Sequence, residues 1–265
     1  MPDSFDLIRA NFFENPFQRY ADTRYFYPGV SEQRKVLSIA SDFVYQNNDP
    51  SKNLGVFAGP SGGGKSMLAM KIAQTHYSTQ QNGQIFGMYM NTNTLTEPRH
   101  FLMALIETLS LPSSRSNANR LDSIFERLQE NNDQLLIVLD GPPVDQEYLT
   151  QLLEWSVENN KKIKTLVFLQ DINNVTSNIG SLSQFLGLYV PFRQPTQHEL
   201  INLLYYRMFA AGNLNPQTLI SREEMLDLTS KHSSISDCMN AAADLNRVKA
   251  EKLTPKTSAF DSSFF

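Results

Sequence analysis

The stretch Leu54-Gly55-Val56-Phe57-Ala58-Gly59-Pro60-Ser61-Gly62-Gly63-Gly64-Lys65-Ser66 decides how this chain is read. Its first five residues are a short apolar run of the kind that forms a buried strand. Gly59 to Ser66 then fits the spacing G-x-x-x-x-G-K-[ST]. An amphipathic stretch, Lys65–Tyr77, follows as a helix. Glycines at this spacing let backbone N–H groups converge on an anion, where a Cβ would obstruct the approach. A helix that begins near Gly64 turns the positive end of its dipole toward the same point. Strand, loop and helix together predict a phosphate cradle. Its nucleotide-binding residues are Gly59, Pro60, Ser61, Gly62, Gly63, Gly64, Lys65, Ser66 and the adjacent Met67. Lys65 reaches the β- and γ-phosphates as a point charge, and the Ser66 hydroxyl can ligate Mg²⁺.

Working outward, short apolar runs alternate with longer amphipathic ones. Strands are predicted at Leu54–Ala58, Gln84–Met90, Gln134–Leu139, Thr165–Leu169 and Leu188–Pro191. Helical stretches are predicted at Lys65–Tyr77, Arg99–Leu109, Leu121–Glu130, Glu147–Glu158 and Ser181–Phe185. This rhythm implies an α/β fold, a mostly parallel sheet with helices on both faces. Leu135–Leu139 and Leu166–Leu169 are continuously apolar, as strands buried on both faces are. After Pro191 the pattern turns helical. Thr196-Gln197-His198-Glu199 and Ser221-Arg222-Glu223-Glu224 each read as a capping box ahead of an apolar run, and a third helix covers Ser236–Lys249. The expected organisation is an α/β unit over 1–191, a small helical lid over 192–252 and a disordered tail over 253–265. Ser113–Asn119 reads as an exposed loop.

The second half of a phosphate site is an acid at the end of a buried strand. Asp140 directly follows Leu135–Leu139, and its carboxylate is placed to hold Mg²⁺ or a water bound to it. The alternative for Asp140 is a strand-end or helix-cap aspartate. ATPases of this layout carry a glutamate after the aspartate to orient the attacking water. Here Gly141-Pro142-Pro143 follows, and none of these can polarise water. Loss of a general base costs roughly 10²–10⁴ in rate. Asp145 and Glu147 lie near in sequence and are weak substitutes.

Composition narrows the field. The 265 residues carry 23 Lys and Arg against 27 Asp and Glu, a net charge of −4, with 41% hydrophobic residues. That is enough to build a core and excludes a wholly disordered chain. No apolar run approaches the roughly 18 residues a membrane-spanning helix needs, and the acidic start shows no secretory signal. The single cysteine, Cys238, excludes an internal disulfide, and four scattered histidines (His76, His100, His198 and His232) form no zinc site or triad. A soluble cytoplasmic protein without membrane insertion is the expectation. The acidic balance disfavours nucleic acid as the principal partner without excluding a local basic patch. Lys161-Lys162-Ile163-Lys164 reads as a solvated loop, with contact to a phosphate backbone as the alternative. Trp155, Met88, Met90 and Met103 read as packing residues.

Three further segments carry a family resemblance. Glu14-Asn15-Pro16-Phe17 and Asp22-Thr23-Arg24-Tyr25-Phe26-Tyr27 match an entry pattern E-N-P-F followed by D-P-R-F-L-Y. Pro191 through Gly212, with Glu199, Tyr206-Arg207-Met208 and Ala211-Gly212, matches a lid signature P-L-x-x-x-E…Y-I-x-x-R-L-x-x-A-G. In these, and in the loop and Asp140, the chain resembles the ExeA-like (general secretion pathway A) ATPases of the AAA+ class. That family is related to TniB- and TnsC-type transposition regulators and to origin-recognition ATPases. The resemblance implies ATP and Mg²⁺ as cofactors, a P-loop sheet with a C-terminal helical lid, and Gln170 in the position of a γ-phosphate sensor. It implies that Phe17, Tyr25, Phe26 and Tyr27 lie beside the adenine, where they would stack on the base or simply anchor the N-terminal arm. It also implies that a nucleotide bridges core and lid.

The chain departs from the family in three places. Gly141 replaces the catalytic glutamate. The lid arginine falls near Asp237. Leu182-Ser183-Gln184-Phe185-Leu186 lacks the arginine that would reach a neighbour's γ-phosphate, a group worth 10³–10⁵ in rate when supplied in trans. Arg193 and Arg207 are the nearest later arginines, and Arg207 matches a position that is more often structural. The expected function is an ATP-binding regulator that self-associates or docks a protein partner, with weak or absent hydrolysis. The alternatives are a DNA-associated ATPase of the transposition-regulator kind and a P-loop nucleotide phosphotransferase. The latter would need an arginine-rich acceptor site, and no such cluster follows the loop.

Overall fold

A computed structural model describes residues 23–47, 49–75, 85–92, 99–112, 116–130, 133–143, 146–159, 163–170, 173 and 175–253. The expectations for Glu14–Phe17, Asp22, His76, Asp145, Lys161, Lys162 and the tail beyond Leu253 lie outside the described residues.

Five strands form one parallel sheet: β1 Leu54–Ala58, β2 Ile85–Asn91, β3 Gln134–Asp140, β4 Ile163–Leu169 and β5 Leu186–Pro191, in the order β2-β3-β4-β1-β5. A parallel pair needs a long return connection, and helices supply it. They are α1 Ser31–Gln46, which precedes β1, α2 Lys65–Thr75, α3 Arg99–Thr108, α4 Asn117–Glu130, α5 Gln146–Glu158 and the short α6 Val175–Ile179. A 3₁₀ helix, Gly180–Phe185, leads into β5 where a helical stretch was expected.

The period-2 alternation of the strands divides the core in two. Leu54, Val56 and Ala58 of β1, Leu135, Ile137 and Leu139 of β3, and Val167 and Leu169 of β4 face α3, α4 and α5. Phe57, Leu136, Val138, Leu166 and Phe168 face the other way, against Val36, Ala40, Phe43 and Val44 of α1 and Leu68, Ala69 and Ile72 of α2. The Phe57 and Phe168 rings stack there with centroids 5.0 Å apart. With both faces covered, the central strands have no solvent face to carry polar residues, so their sequence reads as an unbroken apolar run.

Ala21–Gln194 forms one compact unit. The second unit, described over 195–253, contains α7 Gln197–Ala210, α8 Arg222–Lys231 and α9 Ile235–Leu253. Both expected capping boxes are present in full. Thr196 accepts from the Glu199 N–H while Glu199 accepts from the Thr196 N–H, and Ser221 and Glu224 do the same. Lys249 of α9 ties back to Glu224 at the start of α8, 2.6 Å away. Among the described residues no helix is long and apolar enough to cross a membrane.

Some expectations are corrected and others hold. Asn117–Asn119 belongs to α4 rather than to an exposed loop. Asn117 donates to the Tyr148 hydroxyl of α5 at 2.8 Å and accepts from Arg120 at 2.7 Å, so packing overrides a weak intrinsic propensity. Lys164 is not solvated. It sits in β4, 5% exposed, with its ammonium 5.2 Å from the centre of the Phe43 ring. Met88 and Met90 are core residues, whereas Met103 is exposed at 39%. Trp155 is half-buried and stacks on Phe125 at 4.7 Å. Tyr25 and Phe26 are buried, and Phe26 packs into the α1–α2 core, so its ring anchors the chain and is not a free face for a base.

Candidate phosphate site

The loop Gly59–Gly64 leaves the carboxyl end of β1 between two parallel neighbours. Ala58 pairs with Leu169 of β4 and with Pro191 of β5. Beyond the paired residues, the Gly59 N–H donates to the Leu169 carbonyl at 3.0 Å, and the Phe192 N–H donates to the Ala58 carbonyl at 2.7 Å. The loop is therefore pinned at its origin from both sides. Phe192 also presses against it closely enough that a Cβ on Gly59 would stand 2.7 Å from the Phe192 Cβ. The chain then bends through φ +75° at Gly62 and +87° at Gly64 before α2 begins at Lys65. Alternation of ordinary and left-handed residues turns successive N–H groups inward, which makes an anion-binding concavity.

Two carboxamides brace this bend from outside. Gln194, just past β5, donates from Nε2 to the Ser61 carbonyl at 2.8 Å, and the buried Gln33 of α1 donates to the Gly63 carbonyl at 3.5 Å. Carbonyls held outward leave the N–H side free to face a ligand. The sequence offers no signal for either glutamine, because both contacts join elements distant in the chain.

Lys65 is 6% exposed, and its Nζ donates to the Gly59 carbonyl at 2.7 Å and the Pro60 carbonyl at 2.6 Å. Burial pulls its pKa down from the usual lysine range, and the negative charge of Asp140 opposes that shift. The two expected site residues thus sense one another electrostatically. Ser66 is exposed in the first turn of α2, and Met67 is half-buried against the core beneath it. Gln170 is exposed immediately past Leu169, at the same edge of the sheet as the loop.

Asp140 ends β3 and is 8% exposed. Its Oδ2 accepts from the Tyr89 hydroxyl at 3.0 Å, and its backbone carbonyl accepts from Thr92 Oγ1 at 3.2 Å. Gly141 then turns at φ +121°, where its N–H donates to the Phe168 carbonyl at 2.9 Å. That left-handed backbone favours glycine. Gly141, where the sequence reading expected a glutamate, thus sits in a backbone conformation that disfavours any side chain.

In the helical unit, Ser234 caps α9 and Asp237 sits in its first turn. The Asp237 N–H donates to Ser234 Oγ at 3.1 Å, and the Ser234 hydroxyl donates to Asp237 Oδ2 at 2.7 Å. Arg207 is 4% exposed with Nη1 3.6 Å from Met239 Sδ, a packing position. Arg193 is exposed.

A concave loop with two left-handed glycines, a buried ammonium at its mouth and a carboxylate at the end of β3, one strand removed from β1, fits a nucleoside triphosphate with a divalent cation. Ser66 and Asp140 are the oxygen donors suited to Mg²⁺. Comparison with known proteins agrees at the level of fold. The profile of the NACHT domain matches residues 54–172. The ORC2 protein of Aeropyrum pernix, solved in ADPNP-ADP complexes, superposes with a TM-score of 0.67 at 15% identity over 90% of this chain and 67% of that one. The ORC1 protein of the same organism in complex with DNA gives 0.64 at 15% identity over 92% and 65%. Domain III of the Thermotoga maritima replication initiation protein DnaA gives 0.55 at 15% identity over 89% and 91%. The chain spans about two thirds of the length of the two ORC chains. No curated protein matches the sequence. The fold is that of a P-loop NTPase and matches ORC-like AAA+ structures. The comparisons do not single out the ExeA-like family.

Proposed function

We propose that this chain binds ATP with Mg²⁺ at the Gly59–Ser66 loop and Asp140, that its nucleotide state governs self-association or docking on a protein partner, and that it hydrolyses ATP weakly if at all. One observation carries this reading. The binding elements are complete, while Gly141, at φ +121°, stands where a water-orienting glutamate would be needed. Asp237, in place of a lid arginine, is committed to its helix cap.

The bound ion would supply charge neutralisation to the β- and γ-phosphates. The chain's own residues do the rest. Lys65 brings a cation, Ser66 and Asp140 bring oxygen ligands, and Gln170 is the polar group at the sheet edge suited to sense a γ-phosphate. A ligand that favours one of two arrangements shifts their populations only by its difference in affinity for them, and a triphosphate gripped by a cation and a metal is able to supply that difference. An ExeA-like affiliation remains a proposal that rests on the segments before β1 and on Pro191–Gly212.

The test is the size of the particle in solution with and without ATP·Mg²⁺, paired with phosphate release from pure protein. The expected result is an ATP-dependent change of mass with little release. Fast steady-state turnover by the protein alone would contradict the weak-hydrolysis claim. ORC structures with DNA lend some support to a DNA-associated alternative. Salt-sensitive, ATP-dependent retention of duplex DNA would favour it over the protein-docking reading.

A further inference from the structure

We infer that Tyr89 is a positioning residue for the metal-binding carboxylate of Asp140, a role that rests on the nucleotide reading of the site. β2 and β3 run parallel in register, with Tyr89 opposite Val138 and Asn91 opposite Asp140. Residues two apart on a strand share a face, so Tyr89, Val138 and Asp140 lie on one side of the sheet. That side packs on α2, the helix that begins with Lys65 and Ser66. Tyr89 and Asp140 are diagonal neighbours, a separation that an aromatic side chain spans. The phenol spans it here, and its hydroxyl donates to Asp140 Oδ2 at 3.0 Å.

The consequence is orientational. The terminal torsion of an aspartate is broad, so a carboxylate without a partner rotates freely between two equivalent settings. With Oδ2 engaged by Tyr89, the other oxygen is held as the remaining acceptor. Thr92 fixes the same residue from its backbone side at 3.2 Å, so the end of β2 secures both the main chain and the side chain of Asp140. Hydrogen-bond partners of metal-binding side chains typically change metal affinity by about 10–100-fold.

The experiment titrates Mg²⁺ against a non-hydrolysable ATP analogue on the full chain, comparing wild type, Tyr89→Phe and Asp140→Asn. Tyr89→Phe removes one oxygen and keeps the ring packing, so the fold is expected to survive, and a melting curve checks this. The expected result is an Mg²⁺ midpoint about 10-fold higher in Tyr89→Phe, with Mg²⁺-free analogue affinity unchanged. Asp140→Asn should lose most of the Mg²⁺ response. An unchanged or lower Mg²⁺ midpoint in Tyr89→Phe would overturn the inference alone. So would an equal loss of affinity with and without Mg²⁺, which would mark Tyr89 as merely structural. Wild type that binds no analogue under either condition would overturn the nucleotide reading and this inference with it.

Discussion

Lys65→Met is expected to lower affinity for ATP by on the order of 100-fold while leaving the chain folded. The lysine is the only cation among the described residues that the loop itself engages, through the Gly59 and Pro60 carbonyls at 2.7 and 2.6 Å. Hydrogen bonds to charged groups contribute roughly 1.5–3 kcal/mol each, and two to a polyphosphate account for the expected loss. Methionine keeps the length and apolar stem of the side chain, so the packing around the loop is retained.

The same variant tests the electrostatics of the site. Because burial depresses the Lys65 pKa, the unfolded chain binds more protons than the folded one at pH values between the two pKa values. The ammonium therefore opposes folding below its folded pKa, and that penalty is relieved as pH rises through the folded pKa toward the ordinary lysine value of 10.5. The melting temperature of wild type relative to Lys65→Met should climb over this alkaline range in ligand-free protein. A flat difference would mean that Lys65 is not desolvated.

Gly141→Glu, the substitution that writes the missing glutamate back into the sequence, is expected to lower stability without producing an active ATPase. At φ +121° a side chain is strained, and residues held in such regions cost about 1–3 kcal/mol. Gly141 is also buried, so a carboxylate there loses solvation as well. For a domain of this size each kcal/mol lowers Tm by roughly 2–4 °C, so a fall of several degrees is expected. Relief of the strain by moving the backbone would break the Gly141–Phe168 hydrogen bond that closes β3 against β4. A melting curve and a phosphate-release assay read both effects. Full stability together with fast turnover would show that the chain has merely lost a side chain it could still use.

The sheet was legible because its chemistry is local. A strand buried on both faces announces itself as an apolar run, and all five strands fall within two residues of the expected bounds at either end. The loop was legible because its residue types stand at a fixed spacing, and the structure sets it between β1 and α2, with Asp140 at the end of β3. Helix α1 went unread although Val36, Ala40, Phe43 and Val44 carry a helical period. It starts at Val30 without a side-chain cap, so the usual start signal is missing. Tyr89, Gln33 and Gln194 were illegible for a different reason. Each acts across a register or a packing contact that exists only after the sheet has formed. Lys164 was misread because a run of lysines suggests solvent, while its backbone belongs to β4 and Phe43 supplies a face for its charge.

The most direct test of the account is calorimetric titration of ATP into the wild-type chain in the presence of Mg²⁺. Saturable binding at one site is expected, weakened when Mg²⁺ is removed and weakened by on the order of 100-fold in Lys65→Met. The absence of binding by either adenine or guanine triphosphate would contradict it.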